Sequence, residues 1–138
     1  MKKRAALPAL AILLAACVSD GVAPSPLVVD LKVVSSAPGA SAQSSGKAVG
    51  APGEVAVSGT LVGDCSLALS AAGRQYGSDK LVLDLLSQPG ARTCDASAGP
   101  VAFQYESVLK GIKPGVYRVE ILHNSGAFPA PTQTVTVR

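Results

Sequence analysis

Apolar side chains recur at every second position through most of this chain, in short runs separated by Gly, Pro, Ser and Asn. In "EVAVSGTLV" the alternate positions are Val55, Val57, Gly59 and Leu61; in "CSLALSA" they are Cys65, Leu67, Leu69 and Ala71. "KLVLDLL" sets Leu81, Leu83 and Leu85 against Lys80 and Asp84, and "VAFQYESV" sets Val101, Phe103 and Tyr105 against Gln104 and Glu106. "GVYRVEILH" and "QTVTVR" continue with Tyr117, Val119 and Ile121, then Val135 and Val137. An earlier run, "LVVDLKVV" at 27–34, places Leu27, Val29, Leu31 and Val33 together, away from Asp30 and Lys32. A period of two is the spacing of a strand with one buried face, since a helix would need apolar residues every three or four positions. About seven such strands with turn residues between them predict an all-β fold, an antiparallel β-sandwich. With 138 residues, one domain is expected.

Two stretches break the pattern. "SSAPGASAQSSGKAVGAPG" (35–53) has the Ser, Ala, Gly and Pro composition of a linker and is expected to form a flexible loop, the alternative being that everything up to Gly53 is tether. The other stretch is the amino terminus. "MKKR" is positive, "AALPALAILL" is apolar, and "LAAC" places small residues before Cys17, the order of a secretory signal peptide. From Ala5 to Val18 is 14 residues, about 21 Å as a helix against roughly 30 Å of hydrocarbon, too short to span.

Leu14-Ala15-Ala16-Cys17 resembles the lipobox of bacterial lipoproteins. The resemblance implies that residues 1–16 are removed and that Cys17 carries a thioether-linked diacylglycerol, with its new amine often acylated too. Two or more acyl chains hold a protein to a bilayer stably, whereas one does so marginally. Val18 stands where an Asp would favour inner-membrane retention, so the resemblance implies an outer-membrane, lipid-anchored envelope protein. Residues 17–26 then form the lipidated cysteine and tether, and 27–138 the domain. A second resemblance lies in "VLKGIKPGVYRVEIL": Ile112, Pro114, Gly115 and Tyr117 occupy the places of a motif found in immunoglobulin-like, fibronectin III-like and transthyretin-like domains. It implies an Ig-like sandwich, with the Tyr117 ring buried and its hydroxyl reaching back to the turn.

Charge narrows the function further. Lys2, Lys3 and Arg4 account for three of the 12 basic residues, and the nine that follow balance the nine acids. The domain has no basic run, so no nucleic-acid footprint is expected. With Cys17 assigned to lipid, Cys65 and Cys94 remain as an even pair in an exported chain, which predicts a disulfide. They lack the CxxC spacing and histidine partners of a metal or redox site. His123 is the only histidine, without a GxSxG motif, and the carboxylates are scattered singly, as on a solvated face. No catalytic residue, metal or cofactor is expected. The loops "AAGRQYGSDK" and "NSGAFPAPTQ", with Tyr76, His123 and Phe128, are the expected contact surface for an envelope protein partner. The alternatives are a peptidoglycan- or carbohydrate-binding module using Tyr76 or Phe128, and a hydrolase using His123 and a loop serine.

Overall fold

The computed structural model describes residues 23–95 and 97–138. The segments expected to be the signal peptide, the lipidated Cys17 and most of the tether lie outside the described residues. Within them the chain is all-β, with nine strands: β1 (Ser25–Pro38), β2 (Ser45–Ala51), β3 (Glu54–Gly63), β4 (Leu67–Tyr76), β5 (Lys80–Pro89), β6 (Val101–Lys110), β7 (Gly115–His123), β8 (Gly126–Ala127) and β9 (Gln133–Val137). They hydrogen-bond in the order β2-β3-β6-β1-β4-β5-β7-β8, with β9 also on β7. Every pairing is antiparallel except β5 with β7.

The sheet curls until its ends nearly meet, close to a barrel. At the seam between β2 and β9, the Gln133 side chain stands in for ladder bonds. Its Oε1 accepts the Ala48 N–H at 2.9 Å, and its Nε2 donates to the Gly46 carbonyl at 3.0 Å. Below it, the Gly53 N–H donates to the Arg138 carbonyl at 3.2 Å. The alternate positions read from the sequence fill the interior: Val55, Val57, Leu61, Leu81, Leu83, Leu85, Tyr105, Tyr117, Val119 and Ile121 are all buried. This apolar face, removed from water along each strand, drives the fold.

The expected flexible loop at 35–53 is corrected. β1 runs on to Pro38, and Ser45–Ala51 is β2, paired with β3 from Ser45↔Thr60 to Ala51↔Glu54. The small residues here are a packing requirement. A Cβ at Gly50 would collide with the Thr136 carbonyl oxygen of β9, and one at Gly46 would meet the Tyr105 hydroxyl at 2.9 Å and the end of Ile121. A closing strand pressed between its neighbours has the same composition as a linker. The count of about seven strands becomes nine for the same reason, with the two-residue β8 added. The expectation that residues up to Pro26 belong to a tether is corrected at its end, because Ser25 and Pro26 already pair with Gln75 and Arg74 of β4.

β1 changes partner along its length. Ser25–Leu27 pair with β4, whereas Val28–Pro38 pair with β6, with a bulge between Val33 and Ser35. The registers place Pro38, Gly63 and Val101 at the same end of the barrel as Leu67, Pro89 and His123. Ser25, the first residue of β1, is at the opposite end.

Candidate functional site

The end remote from Ser25 collects the polar side chains with the most specific geometry. β7 terminates in a two-residue hairpin turn, Asn124-Ser125, before β8 pairs back on Leu122 and His123. Both turn residues have positive φ, 48° and 60°. That is the type I′ conformation, whose twist suits a hairpin; Asn accepts it readily and Ser does not.

Asp84 compensates. Its Oδ1 accepts the Ser125 N–H at 2.9 Å and its Oδ2 accepts the Ser125 hydroxyl at 2.8 Å. The carboxylate is 4% exposed, so the solvated role expected for it is corrected: the turn folds over β5 and covers it. On the other side of β5, the Asn124 N–H donates to the Leu85 carbonyl at 2.9 Å, and Asn124 Oδ1 accepts the Ser87 N–H at 3.0 Å. The asparagine thus continues the β5 ladder one step past its last strand partner.

Ser87 and His123 come together here, with Oγ and Nε2 2.7 Å apart. Asn124 Nδ2 donates to the same Ser87 oxygen at 3.1 Å, which leaves the hydroxyl proton free to point at the imidazole. A serine within hydrogen-bond reach of a histidine is the first half of a nucleophile–base pair. The second half would be a group that orients the ring. Asp84 is engaged by Ser125 and has the opposite strand parity to Ser87, and no carboxylate hydrogen-bonds to His123 among the described residues. The cluster therefore locks the 124–125 turn to β5. Ser87, Asn124 and Ser125 carry no motif, and only the parallel pairing of β5 with β7 reveals their association.

Cys65 and Cys94 stand at disulfide distance with Cα atoms 6.0 Å apart, joining the β3–β4 and β5–β6 connections at this same end. Cys65 lies in the turn before β4, not on the inward face of a strand as expected. Asp64 beside it caps that turn through the Ser66 N–H at 2.8 Å, and its bonds from Ser66 hold its carboxyl below the ordinary value. Asp64, Cys65 and Cys94 are close enough to share an ion, but sulfurs joined to each other are not thiolate ligands. An open apolar hollow of about 400 Å³, between Ser36–Pro38 and Ala98–Val101, completes the end.

The three residues expected to form a contact surface are not brought together. Only His123 stands in the far-end cluster. Tyr76 closes β4 at the Ser25 end, half-buried, with Lys80 Nζ 5.8 Å over its ring. Phe128 is 9% exposed and packs into the core. The loop expected over 71–80 shrinks to Gly77–Asp79, because β4 and β5 pair up to Tyr76↔Lys80. Nearby, Arg118 pairs with Asp79 at 3.2 Å and Lys80 with Glu120 at 2.7 Å. No known protein family matches the chain, and comparison with characterised proteins and with solved structures gave no match.

Proposed function

We propose that this is a lipid-anchored lipoprotein of the bacterial cell envelope, most simply of the outer membrane, with a non-enzymatic Ig-like β-sandwich domain that binds a protein partner. The observation that carries the reading is an apolar run that stops at Leu14-Ala15-Ala16-Cys17, with only seven residues between it and the first strand at Ser25. Cys17 supplies the membrane attachment through its acyl chains, and residues 18–24 are the tether. Fully extended, the eight steps from Cys17 to Ser25 reach about 27 Å. The domain is therefore held near the headgroups, and its far end, with the disulfide and the apolar hollow, is the part best placed to meet a partner.

The sandwich assignment draws support from two features. β1 leaves β4 for β6 part-way along, as a strand does when it passes between two packed sheets. The Tyr117 hydroxyl donates to the Lys113 carbonyl at 2.9 Å while its ring is buried, the arrangement of a tyrosine corner. The test of the anchor is Cys17→Ser. That variant should remain uncleaved at this site and carry no diacylglycerol, and normal processing with unchanged membrane partitioning would overturn the reading.

A second reading, hydrolysis through Ser87, is favoured by one observation, the 2.7 Å contact with His123. An activity that His123→Ala abolishes would select it. A peptidoglycan-binding role is weakened by the burial of Phe128, one of its two candidate aromatics.

A further inference from the structure

The edge of β1 that faces away from β6 is paired only at Ser25–Leu27; from Val28 onward no strand covers it among the described residues. Open edges invite pairing by another chain. This one is also apolar. Of the five large hydrophobic residues exposed among the described residues, three lie on it: Val28 at 65%, Val33 at 42% and Val34 at 50%. What could cover it is written in its own sequence, "VVDLKVV" at 28–34. Turned end for end about Leu31, the segment matches itself. Asp30 falls opposite Lys32 of a second copy, Lys32 opposite Asp30, Val29 opposite Val33, and Leu31 opposite Leu31.

We propose that this edge pairs with the same edge of a second copy, forming a two-fold antiparallel dimer. Such a pairing is isologous and closes on itself, and its hydrogen bonds are those of strand addition. Opposite residues share a face in antiparallel strands, so both Asp30–Lys32 contacts form on the outer face as favourable cross-strand pairs. Lys32 makes no ion pair within its own chain among the described residues. Its neighbour across β6 is Glu106, so in the dimer it lies between two carboxylates. Pairing stops at Val28 because β4 occupies Ser25–Leu27, and the bulge after Val33 bends β1 away at the other limit. Nothing in this contact involves Cys17, so it stands or falls separately from the anchor.

The test is a charge swap. The chain as cells process it is dispersed in excess detergent and weighed by sedimentation velocity over a dilution series. Wild type should show the mass of two chains. Asp30→Lys places lysine against lysine, and Lys32→Asp places aspartate against aspartate. Each alone should weaken self-association by roughly tenfold or more. Mixed together, the two variants should recombine as a dimer, because both lysines of the first then face both aspartates of the second. A monomeric wild type overturns the proposal, as do single variants that stay dimeric or variants that fail to recombine. If a variant does not fold, as judged by its circular dichroism, hydrogen exchange on wild type decides. Concentration-dependent protection of the Val28–Val34 amides supports the dimer, and unchanged exchange rules it out.

Discussion

Asp84 on β5 takes two hydrogen bonds from Ser125, forty-one positions later, and so holds a serine in a left-handed turn that serine would otherwise avoid. The carboxylate is buried and both its oxygens are used. Removing it strands the Ser125 N–H and hydroxyl beneath the turn. Asp84→Ala should therefore cost about 2–3 kcal/mol, read as a lower denaturant midpoint at unchanged slope. Ser125→Gly should cost much less, because glycine adopts positive φ freely and offsets the lost hydroxyl bond. Equal losses in the two variants would show that the turn is held by something other than this pair.

The seam between β2 and β9 makes its own demand. Gly50→Ala drives a methyl group into the Thr136 carbonyl, a backbone atom that cannot swing aside. Gly53, at φ 72°, has open space around it, so Gly53→Ala meets only conformational strain. That strain is worth about 1 kcal/mol. Gly50→Ala should lower the melting midpoint further than Gly53→Ala, and the reverse order would place β2 away from β9.

β2 and Asp84 also show where sequence reading stops. The inward residues of β3, β5, β6 and β7 were legible because a half-buried strand writes its burial as alternation. β2 was hidden because closing a barrel needs small side chains, and Gly-Ala-Ser segments have the composition of a linker whether they are packed or free. Asp84 falls at an outward position of its strand, and the turn that buries it is far away in sequence. The same holds for the Ser87–His123 contact, which depends on β5 lying beside and parallel to β7. Of the three expected contact residues, only His123 lies in the far-end cluster, whereas Phe128 packs into the core, where an aromatic in a loop-like sequence gives no sign of its burial.

Tyr105 should give the domain an alkaline limit. Its hydroxyl donates to the Ser45 carbonyl at 3.0 Å, and burial pushes its pKa up from 10.0 to about 12. The folded state therefore favours the neutral phenol. Its stability contribution is complete below pH 10.0 and is lost as pH rises toward about 12, since the unfolded chain releases the proton first. The loss should reach on the order of 1–2 kcal/mol after allowance for solvent screening. Unfolding followed across that range checks it, and Tyr105→Phe should flatten the decline. A decline of the same size in the phenylalanine variant would assign it to another group.

The Cys65–Cys94 bridge closes a separation of 29 residues. A loop of that size restricts the unfolded chain by roughly 3–4 kcal/mol, a large share of a small domain's stability. Reductant should lower the melting temperature by tens of degrees or unfold the domain outright. Identical melting with and without reductant, or equal free-thiol counts in the two states, would mean that the bridge does not form.

The proposed anchor is tested most directly by the mass of the mature amino-terminal peptide, taken from the membrane fraction of cells that make the chain. The expected peptide starts at Cys17 and carries a diacylglyceryl group on its sulfur. A mature chain that starts elsewhere, or one whose Cys17 bears no lipid, contradicts the anchor and the envelope function built on it.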